Sequence, residues 1–276
     1  MSKMERCLSL STTSVCNPSD CSVSTIVEHD FDIRRLDEKS MNNYDAMIAD
    51  ALNYINEKGF HLTINEFREL LNVHITTKHT GKMEGNASIS TACIKNPICI
   101  ARSKIDGCIC KDCFAERMFR QYGENFERCF IDNYDILTSV EIPIELMPIM
   151  NYSIFRIESF GDVANETQAK NYWNLATANP FVTYGWWTKN DSIVNNVFDK
   201  YGKPENVVFV VSSPMLNVQL RIEDLKYADK VFTVYTKEYL KAHPEIVINC
   251  GGNKCVACRN CYLKDNGVVY INEIKK

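Results

Sequence analysis

The stretch N-V-V-F-V-V-S-S-P-M-L-N, residues 206–217, predicts the fold of this chain. Its first half is an uninterrupted apolar run rich in β-branched residues, and the run breaks at Ser212 into a polar turn. Continuous apolar strands are typical of parallel sheets that are buried on both faces. The stretch therefore indicates a central strand of such a sheet, with a loop at its carboxyl end.

Segments on either side repeat the order of strand, loop and helix. Residues 153–162 and 181–190 read as strands that end in polar loops, and residues 163–179 and 192–202 read as the helices that follow them. Residues 230–235 are a fourth strand. This alternation predicts an α/β fold with a parallel βα-repeat sheet, either doubly wound or curled toward a barrel. We expect an incomplete (β/α) barrel with an N-terminal helical region and a C-terminal cysteine-rich segment.

Three regions are predicted along the chain: an irregular and helical region (1–85), an α/β core with a first cysteine cluster (86–249) and a cysteine-rich metal-binding segment (250–276). Residues 42–59 carry apolar side chains at helical spacing, and residues 63–73 open with a capping box. Few basic residues flank these two helices, so a helical layer over the sheet is favoured over a DNA-binding helix-turn-helix.

Composition limits the possible partners. The 276 residues are 45% hydrophobic and 24% charged, which is ordinary for a folded globular protein. The net charge of −4 disfavours nucleic acid as a partner, because binding its phosphates needs clustered Lys and Arg. No run reaches the roughly 18 apolar residues of a membrane helix, and the N-terminus lacks the apolar core of a signal peptide. We therefore expect a cytoplasmic protein with no membrane contact.

The segment N-C-G-G-N-K-C-V-A-C-R-N-C-Y-L-K, residues 249–264, points to a metal centre. Thirteen cysteines in a reducing compartment indicate ligation rather than a disulfide framework, because they are clustered and odd in number. Cys255, Cys258 and Cys261 form C-x2-C-x2-C. Three cysteines at successive spacings of three resemble the run that wraps an iron–sulfur cluster, whereas one C-x2-C pair is typical of zinc. We favour iron–sulfur, with zinc as the alternative, and the predicted ligands are Cys250, Cys255, Cys258 and Cys261.

A second group of cysteines lies between residues 93 and 113. Cys110 and Cys113 form its tight pair, and Cys93 and Cys99 complete a set of four ligands. Cys108 is a fifth thiol for four places, and we assign it as the spare one.

Five more candidate ligands receive no firm role. Cys7, Cys16 and Cys21 stand in the irregular N-terminal region. His74 and His79 occur in a polar loop, where a solvated histidine is the default reading and metal ligation is the alternative.

Polar residues follow the apolar strands, where parallel α/β folds gather their functional groups. We nominate Glu158 or Asp162 as an acid–base group or partner of a cofactor amine, Lys189 as an anion holder, and Ser212 and Asn217 as cofactor-binding residues. The alternative is that these side chains cap helices and form turns, as Ser, Asp and Asn do in any such fold.

Four short motifs resemble the phage gene-product-eighty-eight family, in the same order along the chain. They are C-K-D-C-F-A (110–115), F-R-I-E-S-F-G-D (155–162), V-V-S-S-P-M-L-N (210–217) and G-N-K-C-V-A-C-R-N-C-Y (252–262). The resemblance covers roughly residues 86–262, and its terminal cysteine block is the most specific motif. It implies a cysteine-rich phage or prophage protein, located in the host cytoplasm, and gives architecture more than function.

At the level of the fold, the chain also resembles radical S-adenosylmethionine enzymes. Those enzymes place a three-cysteine cluster before a partial barrel, and a loop after the next strand holds S-adenosylmethionine. Here residues 158–162 stand where such a loop would be, but the C-x3-C-x2-C motif of that family is absent. A cluster with four thiolates would also leave no iron open for the cofactor.

Together these observations predict a phage-derived protein with two cysteine-ligated centres, both 4Fe-4S clusters, and a redox or radical-SAM-like activity at the strand ends. The alternative is a zinc-stapled binding or inhibitor protein that targets a host protein and catalyses nothing. The two differ in colour, because iron–sulfur clusters absorb visible light and zinc does not.

Overall fold

The computed structural model describes residue 53 and residues 73–275, apart from residues 123, 145–146 and 149. These residues form one seven-stranded sheet whose strands lie side by side in chain order. The strands are β1 (Ile75–Thr76), β2 (Ala87–Ile89), β3 (Ile154–Ile157), β4 (Thr183–Thr188), β5 (Val207–Ser212), β6 (Lys230–Tyr235) and β7 (Tyr270–Ile274).

The helices lie between these strands. In chain order they are α1 (Pro97–Arg102), α2 (Phe114–Tyr122), α3 (Glu124–Ser139), α4 (Glu166–Ala178), α5 (Asp191–Tyr201), α6 (Lys237–Ala242) and α7 (Cys255–Cys258). Short 3-10 helices cover Gly81–Met83, Ile109–Asp112 and Ile222–Asp224.

The sheet confirms the predicted α/β fold with a parallel βα-repeat. Strands β2 to β7 are parallel to one another, and β1 pairs antiparallel with β2 at one edge. The strand order never reverses, so the sheet is not doubly wound, and in the described residues it is not closed into a barrel. Right-handed crossovers in such a sequential sheet place the connecting helices on one face.

Polar side chains fix where several helices begin. Asn165 accepts a hydrogen bond from the backbone N–H of Gln168 at 2.9 Å and so caps α4. Thr236 caps α6 in the same way, at 3.2 Å from the N–H of Tyr239. Each such cap satisfies a backbone donor that the helix itself leaves unpaired, and each contributes about 1 kcal/mol.

The helix-covered face holds the main core. Phe155, Tyr184, Trp186 and Phe209 point to this face from three adjacent strands and are completely buried. Phe198 of α5 meets the Trp186 ring edge-on, with the ring centroids 5.6 Å apart. Burying each such side chain contributes roughly 1.5–3 kcal/mol, so this face supplies much of the stability of the fold.

The opposite face is covered by the cysteine-rich segment near the C-terminus. Ile154, Trp187, Val208 and Val210 alternate with the residues of the main core and pack around the buried Tyr262. The partly buried Cys255, Val256 and Cys261 pack against the same cluster. Strand side chains alternate between faces with a period of two, so a single set of strands builds both cores.

The terminal parts of the described chain belong to the same sheet as its middle. Strand β1 comes from the region predicted as 1–85, and β7 comes from the segment predicted as 250–276. The division into three regions stays a prediction. The two predicted N-terminal helices, together with Cys7, Cys16 and Cys21, lie outside the described residues, apart from residues 53 and 73.

Gly185 allows the C-terminal segment to approach the sheet, which gives a first prediction. A Cβ atom at this position would lie 2.5 Å from the Trp187 ring and 2.8 Å from the Tyr262 ring. We expect Gly185→Ala to lower the free energy of unfolding by about 1–3 kcal/mol, because overpacking forces both rings to move. Urea denaturation measures the loss.

Gly252→Ala is the matched control, since a Cβ there meets no atom within 4 Å. Equal stability of the two variants would show that Tyr262 does not pack tightly on the sheet.

Candidate functional site

Four cysteines line one pocket at the carboxyl end of the sheet. Cys93 follows β2, Cys99 lies in α1, Cys110 lies in the second 3-10 helix, and Cys113 precedes α2. The pocket has a volume of about 300 Å³, and its wall also includes Asp162 and Lys189. The structure thus brings together the four thiols that the sequence analysis assigned to one centre.

Asn96 ties the cysteine-bearing loop to the sheet. Its Oδ1 accepts hydrogen bonds from the N–H groups of Ile98 at 3.0 Å and Cys99 at 3.4 Å, which caps α1. Its Nδ2 donates to the backbone carbonyl of Asp162 at 2.8 Å. Asn96 is completely buried, and it links the helix that contains Cys99 to the loop after β3.

The thiols of the pocket influence one another. A hydrogen bond between Cys93 and Cys113 lowers the pKa of Cys113 to about 6 and raises the pKa of Cys93. Burial raises the pKa of Cys110 to about 11, and the nearby Lys189 opposes that rise. Burial, followed by the charge of Asp162, raises the pKa of Cys99.

Cys108 lies beside the pocket but not on its wall. It is buried, forms a β-bridge with Met215, and its thiol hydrogen bonds to that of Cys110. The next residue, Ile109, donates its N–H to the carbonyl of Pro214 at 2.9 Å. The backbone around Cys108 therefore joins the cysteine loop to the loop that follows β5.

The buried Asp162 and the partly exposed Lys189 form a charged pair on the pocket wall. Asp162 is 3% exposed and accepts hydrogen bonds from the N–H groups of Val163 at 2.9 Å and Lys189 at 3.1 Å. The Lys189 Nζ lies 3.8 Å from the Asp162 carboxylate, and an Arg102 guanidinium nitrogen lies 4.0 Å from it. Burial alone would lower the pKa of Lys189, but Asp162 and the neighbouring thiols raise it overall. Lys189 is therefore a cation that faces the cysteines.

Glu158, nominated as a catalytic residue, lies in the protein interior rather than on the pocket wall. It adopts a left-handed backbone conformation, with φ of 57°. Its carboxylate accepts hydrogen bonds from the Thr91 hydroxyl at 2.8 Å, the Thr91 N–H at 3.2 Å, the Gln168 amide at 2.7 Å and the Tyr172 hydroxyl at 2.5 Å. Burial raises the pKa of Glu158 to about 7, and these hydrogen bonds oppose the rise. The carboxylate joins β3, α4 and the segment after β2.

Ser212 and Asn217, nominated as cofactor-binding residues, flank the loop after β5 and do not line the pocket. Ser212 is the buried last residue of β5. Asn217 has a φ of 64°, and its side-chain oxygen accepts a hydrogen bond from the N–H of Thr236 at 2.8 Å. In this structure Asn217 therefore shapes a turn.

The second cysteine cluster lies on the sheet face opposite the main core. Cys255 and Cys258 begin and end the one-turn helix α7, Cys261 follows it, and Cys250 forms a β-bridge with Glu273 of β7. Burial raises the pKa of Cys261 to about 12, and the three other thiols of the set contribute to the rise. The four thiols therefore lie close to one another.

Three cations surround this second set of thiols, and the sequence analysis did not identify them. Lys82 Nζ lies 3.7 Å from Cys250 Sγ and 2.6 Å from the Glu273 carboxylate. Arg156 stacks over Trp187 at 4.0 Å and opposes the rise in the pKa of Cys261, and Lys230 also interacts with Cys261. Arg156 and Lys230 could have been noticed as single charges in otherwise apolar strands; Lys82 stands in a polar loop that gives no such signal.

The thiols are gathered without converging on one point. Among the residues that the structure describes, no three His, Cys, Asp or Glu side chains are arranged to hold a metal ion as they stand. His74 pairs with Asp132 at 3.5 Å, and His79 Nε2 lies 3.0 Å from the Ser88 hydroxyl.

The fold and the two cysteine clusters define an α/β protein with a sequential parallel sheet and thiols on two of its surfaces. Residues 145–273 match the protein family described as Gene product 88. This match confirms the resemblance to the phage gene-product-eighty-eight family over that part of the chain, which contains the second cysteine cluster but not the first. The comparisons do not show the resemblance to radical S-adenosylmethionine enzymes.

No curated protein and no solved structure matches the chain. Within the described residues, no helix has the length and apolar character needed to cross a membrane.

The four donors around Glu158 give a second prediction. Glu158→Gln replaces one acceptor oxygen by an N–H2 group that would face donors, so we expect the free energy of unfolding to fall by about 1–3 kcal/mol. Glu238→Gln, at an exposed position in α6, should change stability by no more than about 0.5 kcal/mol. Urea denaturation measures the stability of both variants. A Glu158→Gln variant as stable as wild type would argue against the four hydrogen bonds to this carboxylate.

A third prediction concerns pH. Burial, followed by the charge of Arg156, lowers the pKa of His79 from 6.5 to about 4. The unfolded chain therefore takes up this proton at a higher pH than the folded chain does. The free energy of unfolding should fall as the pH drops from 6.5 to about 4, with His79 contributing at most about 3 kcal/mol.

His79→Gln removes this contribution. The stability difference between the wild-type protein and the variant should shrink across that pH window, as measured by denaturant titrations at several pH values. Parallel stability curves would contradict the lowered pKa.

Proposed function

We propose that this protein binds two iron–sulfur clusters and that the cluster at the strand ends carries a redox function. The observation that supports this most directly is the pocket shared by Cys93, Cys99, Cys110 and Cys113. The four thiols come from separate elements, and Asn96 and the Cys108 bridge hold those elements to the sheet. Four thiolates that face one cavity are the ligand set of a 4Fe-4S cluster.

The size of the pocket favours a cluster over a single ion. Its volume of about 300 Å³ is far larger than the space that one ion fills. A zinc ion instead draws four sulfur atoms to about 2.3 Å from one point and leaves no cavity between them. Because each thiolate of a 4Fe-4S cluster binds a different iron, the thiols need not converge on one point.

Charge at both centres fits the same proposal. A cluster held by four thiolates is an anion, and burying an anion is unfavourable unless cations lie nearby. Lys189 faces the first set of thiols, and Arg156, Lys82 and Lys230 surround the second.

The two centres are proposed to have different roles. The first lies at the carboxyl ends of parallel strands, where the functional groups of such folds gather, and it opens on a pocket. The second lies against Tyr262 on the sheet face and fixes the C-terminal segment there. With every iron of the first cluster bound by a thiolate, we propose electron transfer rather than chemistry at an open iron. Lys189 and Asp162 on the wall would then set the charge around the cluster.

A zinc-stapled protein that binds a host protein is the second candidate. The one-turn helix between Cys255 and Cys258 favours it, since a C-x2-C turn of this kind is typical of structural zinc sites. In that case a zinc ion held by the second set of thiols would stabilise the C-terminal segment, which has few apolar residues of its own. The pocket would then have no redox role.

Metal content after anaerobic purification provides the test and a fourth prediction. We expect a brown protein with about eight irons per chain, as two four-iron clusters require. Cys99→Ser should lower the iron content to about four, because it removes a ligand of the first centre only. Cys108→Ser is the matched control and should retain about eight.

Absorption spectra and metal analysis of the wild-type protein and the two variants measure the iron content per chain. About two zinc ions per chain and no visible absorption would contradict the iron–sulfur proposal and support the zinc candidate.

A further inference from the structure

A positively charged groove adjoins the first cysteine pocket. It has a volume of about 420 Å³, and Cys113 and Glu116 belong both to its wall and to the wall of the pocket. Its charged side chains are Lys111, Arg117, Arg120, Lys275, Asp112 and Glu116. The wall carries four cations and two anions, and its Lys111 also pairs with the exposed Asp106. The groove with its ion-pair partners therefore has a charge of +1, whereas the whole chain has a net charge of −4.

The cations of the groove are held in place yet stay accessible. Lys275 pairs with Asp112 at 2.6 Å, and Arg120 pairs with Glu116 at 2.5 Å while remaining 78% exposed. Arg117 is exposed on the same helix, α2. The positive charge is therefore presented outward, directly beside one of the proposed cluster ligands.

Exposed apolar side chains lie at the mouth of the pocket. Phe114, the residue after Cys113, is 56% exposed and stacks on Phe160 with the ring centroids 6.0 Å apart. Phe160 and the 41% exposed Ile100 both line the pocket. An apolar centre with Arg and aromatic residues beside a charged rim is the composition of a protein–protein interface.

We propose that this surface, the groove together with Phe114 and Ile100, docks an acidic electron-transfer protein that carries a flavin or an iron–sulfur centre. This inference rests on the proposed function, because it needs a cluster at the first cysteine pocket. The step is the transfer of one electron: the bound donor is oxidised by one electron, and the cluster held by Cys93, Cys99, Cys110 and Cys113 is reduced by one.

Charge complementarity selects this partner. A positive patch on an otherwise negative chain orients an acidic protein so that its redox centre faces Cys113. Transient electron-transfer complexes use small interfaces, and their association depends on electrostatic steering rather than on large buried areas.

The test is the rate at which a reduced acidic flavodoxin reduces the cluster of the full-length, iron-loaded protein, followed by bleaching of the visible absorption in a stopped-flow instrument. We expect the second-order rate constant to fall as ionic strength rises. Arg117→Glu/Arg120→Glu should lower it at least about tenfold at low salt.

Two controls isolate docking from other effects. Lys226→Glu/Lys264→Glu changes the net charge equally, in the exposed segments that lead into β6 and β7, and should leave the rate within about twofold of wild type. Methyl viologen radical cation is a small reductant that needs no docking surface. At high ionic strength, where salt screens its charge, it should reduce the wild-type protein and both variants at equal rates.

Two results would overturn the inference. In the first, an iron-loaded Arg117→Glu/Arg120→Glu variant accepts electrons from flavodoxin as fast as wild type. That result would refute docking at this surface and leave the proposed function intact. A wild-type protein without iron would overturn both, and metal analysis before the kinetic experiment distinguishes the two cases.

Discussion

A sheet whose parallel strands follow chain order has one face without crossover helices, and the rest of this structure depends on how that face is covered. Right-handed crossovers bring the connecting helices to the side where Phe155, Trp186 and Phe209 pack. Ile154, Trp187 and Val210 on the other side need a separate cover. Tyr262 and the cysteines around it provide one, in a segment with too few apolar residues to form a core alone. Under the proposed function, a metal centre held by these thiols would stabilise this contact.

The two cysteine clusters occupy surfaces with different physical properties. The second is packed against aromatic rings and is surrounded by cations from three parts of the chain, which suits a group that must stay in place. The first shares its pocket with the pair of Asp162 and Lys189 and adjoins a charged groove. One sheet thus offers a position on its face that is packed against Tyr262, and a position at its strand ends that shares a pocket with Asp162 and Lys189.

How much the sequence could predict depended on the length and chemistry of each element. Strands β3 to β6 were predictable because each is a run of four to six mostly apolar residues followed by a polar break. Strand β2 has only three residues and β7 contains Asn272 and Glu273, so neither produces an apolar run. Their places in the sheet come from pairing with distant strands.

The candidate site was predictable to a similar degree. The spacing of cysteines identified the four thiols that line the pocket, because short spacings constrain which thiols can meet. Spacing carries no information about the direction in which the side chain of a strand-end residue points. Asp162 and Lys189 reach the pocket wall, whereas the left-handed backbone at Glu158 turns its carboxylate to four interior donors. The groove depends on an ion pair between Lys275, in the last described segment, and Asp112 of the 3-10 helix Ile109–Asp112, which no local pattern reveals.

The position of the covering segment in the chain has a consequence for synthesis. Strands β3 to β6 all precede Tyr262, so a ribosome releases the whole central sheet before the residues that cover its second face. During that interval Ile154, Trp187, Val208 and Val210 form an uncovered apolar surface of the kind that chaperones bind and that aggregates. The nascent protein is therefore most vulnerable late in translation, and the arrival of the cysteine-rich segment ends that exposure.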